Sequence, residues 1–100
     1  MFYFVYVLLS KKDGRFYIGS TSNIEQRLNY HNQGKNKSTI NRRPLKLIFY
    51  EAFLTKQDAL RRERNFKTTK GKVTIKQMLR HAFQTSLDSL IAREYTTKSF

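Results

Sequence analysis

The 100-residue chain contains no cysteine, which removes disulfide frameworks, thiolate metal centres and zinc fingers from consideration and fits a cytoplasmic protein. Acidic residues are scarce: 7 Asp and Glu stand against 20 Lys and Arg, for a net charge of +13. Long hydrophobic runs are also missing. The most apolar stretch, MFYFVYVLLS at residues 1–10, is only strand-sized and has no basic residues ahead of it. It is therefore expected to belong to the fold and not to a signal peptide or a membrane span. No Lys-rich amphipathic helix stands apart from the core pattern, so a membrane partner is not expected either, and no internal repeat is present.

What is there suffices for one small domain. A chain this short buries only about 60–65% of its unfolded surface, which leaves no room for a second core. The hydrophobic share of 39%, with 14% aromatic, can supply that one core. A single domain over residues 1–100 is expected, with its core at about 2–67 and a helical C-terminal extension at about 72–95. The positive charge is split almost evenly, +7 in residues 1–50 and +6 in residues 51–100, so the folded body itself must be basic. An excess of this size favours a polyanionic partner, nucleic acid first, although a passive basic protein would share it.

Residues 2–9 form an unbroken apolar run of aromatic and β-branched types, expected as a central strand covered on both faces. Asp13-Gly14 signals a hairpin, and Phe16–Ser20 is its second strand. A helix follows, capped by Ser22 with Glu25 or by Asn23 with Gln26 and stopped at Gly34. Ile24, Arg27, Leu28 and His31 share one face of it, with Arg27 and His31 at the edge of the buried stripe. The polar, basic segment between Gly34 and Pro44 is expected as loop, Leu45–Phe53 as the third strand, and Thr55 with Asp58 as the cap of a helix running to about Lys67. TTKGK should break that helix. Beyond Gly71, Ile75, Met78, Leu79, Ala82 and Phe83, then Leu87, Leu90 and Ile91, are spaced for one or two sheet-covering helices, and the last residues, TTKSF, should fray. The fold class is therefore α+β, a three-stranded antiparallel sheet flanked by helices.

Glu63 is the residue that composition makes conspicuous. Between Asp58 and Asp88 it is the only acid among eight Lys and Arg, and its spacing from Ala59 and Phe66 puts it in line with the apolar stripe of its helix. It either pairs with a neighbouring arginine for structural reasons or holds a divalent cation, which needs only one or two protein carboxylates when phosphate oxygens and water complete its shell. Taken singly, a strand tyrosine is usually core and a helix arginine usually surface charge. Taken together, Tyr6, Tyr17, Arg27, His31 and Glu63 come from separate elements yet are all residue types used in phosphodiester cleavage.

These residues resemble the GIY-YIG nuclease family over about residues 2–67. Tyr17-Ile18-Gly19 is the second half of the signature, Phe4-Val5-Tyr6 corresponds to the first half with Phe4 in place of the glycine, SNIEQRLNYH matches the following motif, and ALRRERNFK matches the helix that carries the family's glutamate. The run from His31 to Glu51 is similar to small single-domain members like the N-terminal nuclease domain of the excision-repair incision subunit. The resemblance implies a metal-dependent endonuclease that nicks one strand at a time in nucleic acid, DNA ahead of RNA, with repair as its setting. A nucleic-acid-binding module without catalysis is the alternative. By resemblance Glu63 holds Mg²⁺ or Mn²⁺, Arg27 steadies the scissile phosphate, and Tyr17, with Tyr6 and His31, generates the attacking hydroxide. A phenol ordinarily titrates near pH ~10, so that role needs nearby cations or a relay through His31. Gly19 allows a close approach where a side chain would obstruct. Lys35, Lys37, Arg42, Arg43, Arg61, Arg64 and Lys67 are the expected nucleic-acid contacts, and either a monomer or a weak dimer is compatible with the sequence.

Overall fold

The apolar run at the N-terminus forms β1 (Tyr3–Ser10), the middle strand of a three-stranded antiparallel sheet in the order β2-β1-β3, where β2 is Phe16–Thr21 and β3 is Leu45–Phe53. The structure, a computed structural model, describes residues 1–85. Val5, Val7, Leu8 and Leu9 are at most 1% exposed, as a strand covered on both faces requires. The β1–β2 turn is built on Ser10, whose hydroxyl accepts from the backbone N–H groups of Lys12 and Asp13, both at 3.1 Å, and donates to the carbonyl of Arg42 at 2.6 Å. Gly14 closes the turn at φ +73°, a conformation that glycine adopts without a Cβ penalty.

Helix α1 (Ile24–Asn32) starts at Asn23, whose side chain accepts from the N–H of Gln26 at 3.0 Å, so Asn23 and not Ser22 is the cap. After the helix, the amide of Asn32 brackets Leu45: its Oδ1 accepts from Leu45 N–H at 3.0 Å and its Nδ2 donates to Leu45 C=O at 3.1 Å, which fixes where β3 begins. The segment between Gly34 and Pro44, expected as loop throughout, contains one 3₁₀ turn at Ile40–Arg42. It forms because the N–H groups of Thr39 and Ile40 return to the carbonyl of Asn36, and that of Arg42 returns to Thr39.

Strand pairing sorts the residues into two faces. One cross-strand row is Gly19–Tyr6–Tyr50, and the next is Ser20–Val5–Glu51. Because side chains alternate, the first row shares a face with Leu8, Tyr17, Leu45 and Leu47, which Leu28 of α1 covers. The second row faces helix α2 (Lys56–Phe66), whose Glu63 accepts from the Ser20 hydroxyl at 2.8 Å while Arg62 makes a two-pronged contact with Glu51 at 2.7 and 3.1 Å. Thr55 caps α2 by accepting from Asp58 N–H at 3.2 Å.

The chain divides into two compact units, Met1–Asn65 and the residues from Phe66 onward. The second contains α3 (Thr69–Met78) and α4 (Arg80–Thr85). Gly71 does not precede its helix, as the sequence suggests, but lies inside the first turn, because Thr68 caps α3 by accepting from Gly71 N–H at 2.9 Å. Leu87, Leu90, Ile91 and the terminal TTKSF lie outside the described residues. Among the described residues no helix is long and apolar enough to cross a membrane.

Candidate active site

Three of the expected site residues meet on the α1 face of the sheet. The phenol of Tyr6 is hydrogen-bonded to Nε2 of His31 at 3.0 Å, and the other ring nitrogen, Nδ1, is hydrogen-bonded to the hydroxyl of Thr39 at 2.8 Å. His31 and Thr39 are fully buried and Tyr6 is 2% exposed. Tyr17 packs against this chain, its ring centroid 4.9 Å from that of His31 and 6.4 Å from that of Tyr6, and it is the only one of the three aromatic groups that remains partly open to solvent. The helix spacing suggests a half-exposed His31. The structure buries it, because Thr39 brings the 35–43 segment over the last turn of α1.

Gly19 lies beside Tyr6 in the register, and a Cβ there would stand 2.6 Å from the phenol's Cζ. The close approach that the sequence suggests at this glycine is therefore that of the Tyr6 ring. Ser20, the next residue, points to the opposite face and anchors one oxygen of Glu63. Glu63 thus stands on the α2 side of β2, an edge strand, on the face opposite the Tyr6–His31–Tyr17 cluster. Arg27 is exposed on α1, with its guanidinium carbon 5.7 Å from the ring centroid of Tyr30. A cleft of about 240 Å³ opens at the end of β2, lined by Tyr3, Ser20, Thr21, Arg27, Lys56 and Ala59.

The electrostatics tie the distant members to the cluster. Burial pushes the Tyr6 phenol far above the ordinary tyrosine range, Tyr17 and Glu63 act in the same sense, and Arg27 opposes them. Burial, helped by the positive charge of Arg27, holds His31 below the usual histidine range. At neutral pH the buried pair is therefore a protonated phenol and a neutral imidazole, not a charged couple. A single carboxylate that accepts from a serine hydroxyl fits Mg²⁺, which needs only one or two protein carboxylates, keeps several waters and takes the rest of its shell from substrate. Among the described residues, no cluster of three or more His, Cys, Asp or Glu forms a cage of the kind a fully protein-bound metal needs.

The expected nucleic-acid contacts separate by what they already hold. Lys35, Lys37 and Arg64 are exposed, and Arg61, also exposed, pairs with Asp58 at 2.5 Å. Arg42 is turned inward, donating to Asp13 at 2.9 Å and to the carbonyl of Phe16 at 3.1 Å, and Arg43 donates to the carbonyls of Ile40 and Asn32. Lys67 is exposed and belongs to the second unit. Sequence reasoning misses Thr39, Ser20 and Lys56. Ser20 follows the YIG tripeptide and its face could be read from strand alternation, but Thr39, one hydroxyl in a polar loop, carries no signal of its own.

The GIY-YIG catalytic domain profile matches residues 2–77. A UPF0213 protein of Streptococcus agalactiae is 47% identical over 78 residues, covering 74% of this chain and 88% of that protein, and one of Bacillus licheniformis is 48% identical over 63 residues, covering 62% and 65%. The solution NMR structure of a UPF0213 protein from Bacillus halodurans superposes with a TM-score of 0.50 at 33% identity, covering 78% of this chain and 85% of that one. With its tyrosines, its register-locked glycine and this match over most of its length, the chain belongs to the GIY-YIG family of nuclease domains.

Proposed function

We propose that the protein is a divalent-metal-dependent endonuclease that hydrolyses one phosphodiester bond at a time, in DNA ahead of RNA. The observation that carries this reading is the Tyr17–His31–Tyr6 cluster, with ring centroids 4.9 and 5.9 Å apart along that order, supported by a basic cleft at the end of β2 that Arg27 and Lys56 line. Tyr17 is the phenol that water and substrate can reach. Acting as the phenolate, its own proton having passed to solvent under the pull of the surrounding cations, it orients the attacking water and takes up one of that water's protons at Oη, while the buried Tyr6–His31–Thr39 chain fixes the ring beside it. The water oxygen bonds to phosphorus, the bond to the leaving sugar oxygen breaks and that oxygen takes a proton from solvent water, and Arg27 carries the phosphate's non-bridging charge through its planar fork, a geometry lysine does not reproduce. Glu63, steadied by the Ser20 hydroxyl, would hold Mg²⁺ or Mn²⁺. When bound, such an ion supplies charge neutralisation at the leaving oxygen and lowers the pKa of a coordinated water. One site of this kind cuts one strand, so nicks are the expected product.

The test is cleavage of supercoiled plasmid and of labelled DNA and RNA oligonucleotides in Mg²⁺. Wild type should convert plasmid to the nicked form first, and Glu63→Gln and Tyr17→Phe should each lose at least about 100-fold in rate. Equal activity in all three proteins would overturn the assignment of the site. Binding without cleavage in wild type would leave a nucleic-acid-binding module.

A further inference from the structure

The sheet face that carries Tyr6 is only partly covered. Leu28 and His31 of α1 lie over Leu8 and Tyr17, but toward the start of β1 the cover thins, leaving Phe4 partly exposed. In the row of Tyr6 stands Tyr50 on β3, 53% exposed, and in the next row on the same face stands Phe4, whose ring meets that of Tyr50 edge-on at 5.8 Å and 69°. Phe2, 49% exposed, and Leu54, 75% exposed, lie just beyond the strand ends on that side. A large aromatic side chain left half in water on the sheet, directly beside the buried Tyr6, with a partly exposed ring against it, needs an explanation.

Resting on the reading that this chain acts on nucleic acid, we propose that Phe4 and Tyr50 form a stacking platform for an unpaired base of a single strand whose backbone lies in the Arg27–Lys56 cleft. The cleft opens at Thr21 on β2, which is paired with Phe4, and Tyr50 stands on β3, two strand spacings or roughly 10 Å across the sheet. A phosphate held at the cationic side and its base laid on the aromatic side bridge that span. Every base has a π-face, so stacking is indifferent to sequence but requires the base to be unpaired. The platform would thus favour single-stranded or frayed substrate over intact duplex. A second copy of the chain is a poorer occupant: each copy carries +13, and a few side chains fall far short of the about 800 Å² per partner that a stable interface buries.

The experiment measures binding of the full chain to a labelled oligothymidylate and to a blunt mixed-sequence duplex of equal length by fluorescence anisotropy in EDTA, so that cleavage does not intervene. Tyr50→Ala should weaken single-strand binding about tenfold, Tyr50→Phe should stay within about twofold of wild type, and duplex binding should change by less than about twofold in both. An equal loss on both substrates, or no loss on the single strand, overturns the proposal. So does sedimentation showing a wild-type dimer that Tyr50→Ala dissociates. Circular dichroism melting of each variant confirms that the half-exposed side chain was removed without loss of fold. The reading of the active site fails separately: a protein that never cleaves but still loses single-strand binding with Tyr50→Ala retains the platform and loses the nuclease. A Glu63-dependent nuclease indifferent to Tyr50 does the reverse.

Discussion

Gly19 and Tyr6 are register partners, and the phenol of Tyr6 occupies the space where a side chain at position 19 would begin, 2.6 Å from Cζ to an ideal Cβ. Both lie in paired strands, so neither backbone can retreat without breaking the β1–β2 ladder. Gly19→Ala should therefore cost about 1–3 kcal/mol, as overpacking does, and reduce cleavage by displacing the phenol from His31. In a Tyr6→Ala background the same change should cost almost nothing, because the clashing ring is gone. Urea denaturation of the four proteins in this cycle measures the coupling. Additive losses would show that position 19 acts on something other than Tyr6.

His31 has both ring nitrogens engaged and is fully buried, and among the described residues Thr39 is its hydrogen-bond anchor on the Nδ1 side. Thr39→Val keeps the shape and removes the hydroxyl, leaving a buried nitrogen unsatisfied at a cost of about 1–3 kcal/mol. Thr39→Ser should restore most of the loss. Histidine ¹⁵N shifts read the tautomer directly, and the prediction is a changed His31 pattern in Thr39→Val that Thr39→Ser returns to normal.

The same cluster sets the pH dependence of stability. An unfolded histidine takes its proton near pH ~6.5, whereas His31 in the fold takes it only at lower pH, so the unfolded chain binds more protons in that window and stability falls as pH drops through it. Tyr6 works in the opposite direction. Its raised value keeps the proton on in the fold after an unfolded tyrosine has lost it, so stability is present below about pH 10 and is lost as pH rises toward the folded-state value. Asp13 adds a second acid limb: burial raises its value, but hydrogen bonds from Arg15 N–H and the Arg42 guanidinium prevail and hold it below the usual carboxylate range. Stability in urea should thus be flat between roughly pH 6.5 and 10 and fall on either side. A midpoint that rises as pH is taken from about 7 to 5 would contradict the burial of a neutral His31.

How much of this could be read beforehand follows from the range of the forces involved. The strands, the Asn23–Gln26 cap and the Gly34 stop are local signals within a few residues, and the aromatic run of β1 has only one reasonable fate. Leu28 and Arg27 fall on their faces because helix geometry places them there. What could not be read depends on contacts distant in sequence. The burial of His31 rests on Thr39, held by a turn that Asn36 closes, and the inward path of Arg42 rests on Asp13 and Phe16, 29 and 26 residues away. Gly71 misleads for the converse reason: a glycine suggests an interruption, but the preceding threonine at position 68 supplies a cap that starts the helix first. Charge counting also treats all arginines alike, and the structure does not.

Arg27 is poised by its packing over Tyr30, with the guanidinium carbon 5.7 Å from the ring centroid, and shares the cleft with Lys56. Arg27→Lys preserves the charge but loses the planar fork and the stacking, so kcat/KM in single-turnover cleavage should fall by roughly 10- to 100-fold with substrate binding little changed. Tyr30→Ala should give a smaller fall, since it frees the guanidinium without removing it. A Lys variant as active as wild type would mean that position 27 contributes only field strength.

The basic residues of the 35–43 segment should divide cleanly between holding the fold and holding nucleic acid. Arg42 is 23% exposed and links the β1–β2 turn to the segment before β3 through Asp13 and the carbonyl of Phe16. Its side chain is a strut whose removal exposes no phosphate contact. Arg42→Ala should lower stability by about 1–2 kcal/mol, the value of a charge-assisted contact that is partly buried, and leave the salt dependence of DNA binding unchanged once the remaining folded protein is accounted for. Lys35 and Lys37 are exposed, and replacing either with alanine should leave stability within about 0.5 kcal/mol and reduce the slope of log K against log salt by about 0.9, the release of one counterion for each lost phosphate contact. Titrations of labelled duplex at several salt concentrations, paired with urea denaturation of the same preparations, separate the two kinds of basic residue. An Arg42→Ala protein with native stability and a shallower slope would place that guanidinium on the phosphate backbone and make Asp13 its partner only when nucleic acid is absent.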